Sequence, residues 1–243
     1  MLTLSIPWRA PTYRMPKTRQ ETIFSYVVES YIKTAEPVGS KRLCDEYGLD
    51  CSSATVRAEL LDLEQKGFLA QPHTSAGRIP TEQGYRYYVE HLLDEQKLSS
   101  KEENQLQEAW SAAQDFEARV KGLAKRIAEL AYNTVIVAYS PQNVYYTGIK
   151  NLFSQPEFEE FAFVTSISAI LDELDEHIDD LFAHGATSTE VLIGKDNPLG
   201  TRCSAIITRL PATDGLLTLL GPMRMDYGRN INLVNSAKEV VAR

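Results

Sequence analysis

The stretch QPHTSAGRIPTEQGYRYY, residues 71–88, decides how this chain folds. It begins just after an apolar-periodic segment that stops at Gly67. Together with the preceding Phe68–Ala70, its first half alternates short apolar elements around a Ser-Ala-Gly turn. That pattern predicts a two-stranded hairpin, with Gly77 at a position requiring positive φ. Thr81 then caps a helix in which Tyr85, Tyr88, Val89, Leu92 and Leu93 follow helical spacing. The hairpin tip carries His73, Thr74, Ser75 and Arg78, side chains that donate to phosphates or enter a minor groove.

Upstream, three helices are expected. Ile23, Val27 and Tyr31 recur at i, i+4 and i+8, and Pro37 ends that segment. GSKRLCDEYG gives a short second helix, with Ser40 as N-cap and Gly48 beyond its end. CSSATVRAELLDLEQKGFL gives a third, capped by Ser52 or Ser53, with Val56, Leu60 and Leu63 facing inward. Its opposite face presents Ser53, Thr55, Arg57 and Ala58. Two short helices, a tight joint and a polar third helix form a helix-turn-helix pattern, and a hairpin behind it makes a winged helix. In that frame Ser52, Ser53, Thr55 and Arg57 read or border the major groove, while Arg19, Lys41, His73, Thr74, Ser75, Gly77 and Arg78 form the phosphate-holding set. The bland alternatives are ion pairs: Arg57 with Asp62 or Glu64, at poor helical spacing, and Arg78 with Glu82.

EPVGSKRL, SSATVRAEL, LEQKGFLAQPHTSAGRIPTEQGYRYYV and, far downstream, GPMRMDY resemble the heat-inducible transcription repressor HrcA family of bacteria. The likeness is dense over residues 17–93 and returns over 146–238. It implies a winged-helix dimer on an inverted-repeat operator upstream of chaperone operons, with a chaperonin as modulator, and a GAF-like C-terminal domain. Family members carry further strands and an inserted dimerisation subdomain after the segment matching residues 131–141. This chain passes almost at once to YYTGIKNLFSQPEF, so it is expected to be a shortened member. The Asn usual after the recognition-helix Arg is Ala58 here.

The 243 residues, 43% hydrophobic and 24% charged, suffice for two modest domains. A net charge of −8 excludes a nucleic-acid-coating role, yet residues 1–42 hold seven basic side chains against three acidic ones. Cys44, Cys51 and Cys203 have no disulfide or zinc spacing, so reduced thiols in a cytoplasmic protein are expected. No apolar run approaches the roughly 18 residues of a membrane span. Residues 1–16 are expected to be a mobile tail, residues 17–95 the winged helix, 96–132 a connector and 133–243 the regulatory domain.

The connector is expected as one long helix with two heptad series, one through Val120 and Ile127 and the other through Phe116 and Leu123. Such a stripe either pairs two chains or packs on its own C-terminal domain. With the Tyr85/Tyr88/Leu92 face it forms the pair of dimerisation candidates. Beyond it, TVIVAYS, NVYYTGI, EVLIGKD, CSAIITRL and GLLTLLG are expected strands, residues 156–185 a helix and 229–241 a closing helix. The fold class is therefore α+β throughout. No nucleophile elbow, phosphate loop or metal motif occurs, so neither enzymatic activity nor a cofactor or metal is expected. His177 and His184 are expected in solvent, the acidic run DELDEHIDD on a solvated helix face, and Arg224 and Asp226 as a buried pair. Two further function classes stay open: a winged-helix regulator governed by a small molecule, and a winged-helix docking module without a DNA role.

Overall fold

The computed structural model describes residues 6–7, 17–94, 96–159, 174–184, 188–211 and 213–242. The chain divides into two units, Ala10–Asp94 and Glu95–Arg243 together with Met1–Arg9.

In the first unit, α1 (Arg19–Thr34) starts at a capping box: the Thr18 hydroxyl accepts from the Glu21 N–H, and the Glu21 carboxylate accepts from the Thr18 N–H. It ends at Ala35, with φ of 56°, two residues before the expected stop at Pro37. In α2 (Ser40–Tyr47) Gly39 occupies the cap position expected of Ser40, and Gly48 closes it in the left-handed region. For α3 (Ser53–Gln65) the cap is Ser52, whose hydroxyl accepts from the Thr55 N–H at 3.1 Å. Ile23, Phe24, Val27, Val56, Leu60 and Leu63 are buried and form the inner faces. Gly67, at φ of 79°, turns the chain out of α3. Strands β2 (Leu69–Ala70) and β3 (Ile79–Pro80) then pair antiparallel, Leu69 opposite Pro80. Thr81 caps α4 (Glu82–Tyr87), which widens into a π turn over Tyr88–Leu92.

Two expectations are corrected in this unit. Gly77 does not adopt positive φ. Its glycine is required by close approach: a Cβ there would stand 2.4–2.7 Å from the Val38 backbone. Val38 and Arg78 exchange two backbone hydrogen bonds of 2.9 Å, clamping the loop onto the segment before α2. The Tyr85/Tyr88/Leu92 face is no dimer surface as it stands, since all three side chains are buried, at 2%, 4% and 2% exposure.

The second unit is built on a six-stranded antiparallel sheet in the order β1-β6-β7-β8-β4-β5. All five expected strands are present: β4 (Thr134–Ser140), β5 (Asn143–Thr147), β6 (Glu190–Ile193), β7 (Cys203–Arg209) and β8 (Leu216–Pro222). The sixth, β1 (Ile6–Pro7), pairs with β6 and falls within the stretch expected as a tail. The rest of residues 1–16 lies outside the described residues. Ile136, Leu152, Leu192, Ala205, Ile207 and Leu220 form the core on one face of the sheet. The helices are α5 (Ser100–Ser111), α6 (Phe116–Ala131), α7 (Ile149–Phe153), α8 (Leu174–Phe182) and α9 (Tyr227–Ala242). Most of the helix expected before residue 174 lies outside the described residues.

The connector is two helices, not one. Asp115 caps α6 by accepting from the Ala118 N–H at 2.9 Å, and Arg119 reaches back to the Ala113 carbonyl at 2.8 Å. The guanidinium of Arg119 lies over the Trp110 ring, and Gly122 lets α6 approach Ala109 of α5 closely. The resulting α5–α6 hairpin packs on α9 and β4, so Val120, Leu123 and Ile127 are wholly buried in the single chain. Only Phe116 of that seam is exposed. The heptad stripe thus feeds its own unit, because an amphipathic face covers the nearest apolar surface on its own chain before it can meet a second chain.

Smaller corrections follow the same logic. Arg224 pairs with Glu157 at 2.5 Å and donates to Gln155, while Asp226 accepts from the Arg229 N–H at the start of α9. His184 is buried, its Nδ1 at 3.5 Å from Glu190. Arg229 joins α9 to α5 through Glu102 at 2.8 Å and to α6 through the Leu130 carbonyl at 2.7 Å. Hydrogen bonds from Ser99 and then from Arg229 hold the Glu102 carboxyl down at about 2.

Candidate nucleic-acid interface

Lys41, Arg57, Thr74, Ser75, Gly77 and Arg78, distant in sequence, meet around one cleft of about 400 Å³ in the first unit. Its walls are the N-terminal turn of α2 with the preceding Val38, α3 at the exposed Arg57 and the buried Leu60, and the loop 71–78. The loop keeps its shape internally. The Gln71 amide donates to the carbonyls of Thr74 and Ala76 at 3.0 and 2.9 Å, and the Ala76 N–H donates to the His73 carbonyl. Gly39 supplies no side-chain acceptor for the first turn of α2. The partial positive charge of that helix end therefore faces the cleft beside Lys41.

The two arginines of the cleft are held differently. Arg57 is exposed and has no ion-pair partner among the described residues. The reason lies in how the acids of α3 are committed. Glu59 takes Arg19 at 2.6 Å and Gln20 at 2.9 Å, Asp62 takes Lys66 at 2.7 Å and Gln20 at 2.6 Å, and Glu64 takes Arg78. The Lys66 hydrogen bond, then that of Gln20, lowers the pKa of Asp62. Arg78 is 17% exposed at its side chain, with both Nε and Nη2 at 2.8 Å from the same Glu64 oxygen. Its expected partner Glu82 is bound to Arg86 instead, at 3.0 Å. Helical spacing cannot reveal the Glu64–Arg78 pair, because it joins α3 to the end of the hairpin loop and forms only when the loop folds back on that helix.

The other expected residues lie around the cleft without lining it. Ser53 and His73 are exposed, and Ser52 is spent as the cap, its hydroxyl also 3.0 Å from that of Thr55. Arg19 is on α1, exposed at 64% of its side chain but engaged by Glu59. The arrangement as a whole offers cations and hydroxyls on one polar face, which suits contact with an anion.

Among the described residues no helix is long and apolar enough to cross a membrane. Residues 83–231 match the family model described as the HrcA protein C-terminal domain. The chain is similar to the heat-inducible transcription repressor HrcA of Pelotomaculum thermopropionicum, 42% identical over 125 residues, covering 51% of this chain and 36% of that one. With the repressor of the same name from Synechococcus elongatus it is 48% identical over 115 residues, 46% of this chain and 33% of that one. It thus spans about a third of the length of these relatives. A crystal structure titled as a hypothetical protein at 2.2 Å resolution superposes with a TM-score of 0.71 at 15% identity, covering 94% of this chain and 98% of that one, a likeness of fold. Since the family model spans more than half of its residues, the chain belongs to the HrcA family.

Proposed function

We propose that residues 17–94 are a winged helix-turn-helix that binds double-stranded DNA, and that the chain is a cytoplasmic repressor of heat-shock chaperone genes. The observation that carries this reading is the cleft at which Arg57 and Lys41, both exposed and neither in an ion pair among the described residues, converge with the α2 N-terminus and the hairpin loop. In this reading α3 enters the major groove, Arg57 reaches a base edge, and Ser53 and Thr55 border the contact. Lys41 and the first turn of α2 hold a phosphate, and His73, Thr74 and Ser75 meet the backbone beside the adjacent groove. Ala58 is too short to hydrogen-bond a base, so direct readout falls on Arg57. The names of the relatives support repression of heat-inducible genes as the outcome.

One winged helix touches too few base pairs to select a site in a genome, so a homodimer on an inverted repeat is part of the proposal. Its surface is neither the α6 stripe nor the α4 face, whose side chains are spent inside the chain. The second unit is taken as the GAF-like regulatory domain, with chaperonin as the modulator. Footprinting the full chain on the DNA upstream of the host's chaperonin operon tests the reading. A protected inverted repeat supports it; uniform or no protection refutes sequence-selective repression there.

A further inference from the structure

Cys44 and Cys51 sit on either side of the joint between α2 and α3. The Cys44 Sγ lies 3.9 Å from the main-chain carbonyl oxygen of Cys51, and both side chains are free and partly exposed. A carbonyl oxygen stands roughly 2.4 Å from its own Cα. The Cys44 thiol therefore rests against the main chain of Cys51. Cys51 immediately precedes Ser52, the residue whose hydroxyl caps the first turn of α3. Moving Cys51 moves the cap, and with it Ser53, Thr55 and Arg57.

We propose that Cys44 and Cys51 are an oxidation site, closed to an intramolecular disulfide by hydroperoxides, and that closure lowers the affinity of α3 for DNA. The second half of this proposal rests on the DNA-binding reading; the first does not. One thiolate attacks the peroxide oxygen, giving a sulfenic acid and releasing alcohol or, from hydrogen peroxide, water. The other thiol then displaces water from that sulfur, forming the S–S bond. Two thiols have lost two protons and two electrons, and the peroxide bond has accepted them. The cap geometry seen here is that of the reduced state, and drawing the two sulfurs into an S–S bond of about 2.05 Å tightens the short loop that carries Cys51 into the Ser52 cap. Cys203 serves as an internal control. It is buried in β7, and burial pushes its thiol up to about 12, so it presents no thiolate to oxidant.

The test treats the reduced full chain with hydrogen peroxide, removes the peroxide, unfolds the chain in denaturant, caps the remaining thiols with a maleimide and digests with trypsin. Cleavage after Arg42 and Arg57 yields one peptide, residues 43–57, holding both cysteines. The expected result is that peptide lighter by about 2 Da, as loss of two hydrogens requires, with Cys203 still labelled. In parallel, affinity for the fragment upstream of the chaperonin operon falls at least about tenfold and returns with dithiothreitol. Cys51→Ser keeps the reduced affinity and loses the peroxide response. Oxygen-adduct masses without the disulfide, cross-linking between chains, or a Cys51→Ser protein as peroxide-sensitive as the parent would each overturn the site. A disulfide that leaves affinity unchanged would overturn its effect on α3. A reduced protein with no affinity for any DNA would overturn the repressor reading and the effect on α3, with the peptide mass still deciding the site.

Discussion

The outer face of α3 and the stripe on α6 both look in sequence like surfaces for a partner, and the fold treats them in opposite ways. On α3 the partners that would quench Arg57 are each committed elsewhere, leaving the arginine exposed. On α6 Val120, Leu123 and Ile127 are covered by α5, α9 and β4, leaving only Phe116 of the stripe exposed. The Arg57 face keeps its charge exposed, whereas most of the α6 stripe is covered within its own unit. In the proposed reading, the partner surface of this chain is marked by exposed charge and not by hydrophobic periodicity.

The most severe way to break this comparison is to charge the stripe. Val120→Glu combined with Leu123→Glu puts two carboxylates into a fully buried interface. Unfolding of the second unit is expected, with a loss on the order of 4 kcal/mol or more. Thermal unfolding followed by circular dichroism checks it; a folded protein that has merely become monomeric would restore the seam as an interface.

Next in size is Gly77→Ala, which drives a Cβ into the Val38 backbone. The clamp between loop and α2 must open, at about 1–3 kcal/mol, with DNA affinity lost alongside. Hydrogen exchange at the Val38 and Arg78 amides, now mutually bonded, reports the opening. Protection as in the parent would show that the loop shifts without cost.

Arg78 sharpens the contrast between a spent and an unspent arginine. If its work is to hold the hairpin to α3 through Glu64, Glu64→Arg combined with Arg78→Glu restores much of the DNA affinity that Arg78→Glu alone removes. A direct phosphate contact gives no rescue. The coupling expected is about 0.5–3 kcal/mol for residues in contact.

How much of this was legible in the sequence differs between the same regions. The caps at Thr81 and at the Ser52–Ser53 pair, and the strands β4 to β8, follow from local patterns, because hydroxyl caps and β-branched alternation are decided within a few residues. The break between α5 and α6 was not legible: Gln114–Asp115 is a weak signal inside a continuous heptad series, and the turn depends on Arg119 and Trp110 meeting after the fold closes. For the cleft, residue types were readable but their roles were not. Gly77 answers to Val38, thirty-nine residues earlier, and Arg78 answers to Glu64 across the hairpin. Such constraints exist only in three dimensions.

The smallest effect expected is at Glu102. Its folded pKa, about 2 against an ordinary 4.5, means that its stabilising contribution is full above about 4.5 and is lost as pH falls toward 2. Glu102→Gln removes that contribution, so the second unit should be less stable at neutral pH and show a shallower acid limb. An unchanged acid-unfolding profile would mean that the Arg229 link between α9 and α5 carries no net stability.

The central claim, that unspent cation on α3 and α2 is there for DNA, is tested most directly by a salt-titrated binding series on the footprinted fragment and on random DNA of equal length. The parent chain should lose affinity steeply and linearly in log salt. Lys41→Ala should reduce that slope by about one on both DNAs. Arg57→Ala should cost about 1–3 kcal/mol on the fragment and much less on random DNA. Salt-independent binding, or an equal loss on both DNAs for Arg57→Ala, would contradict the account.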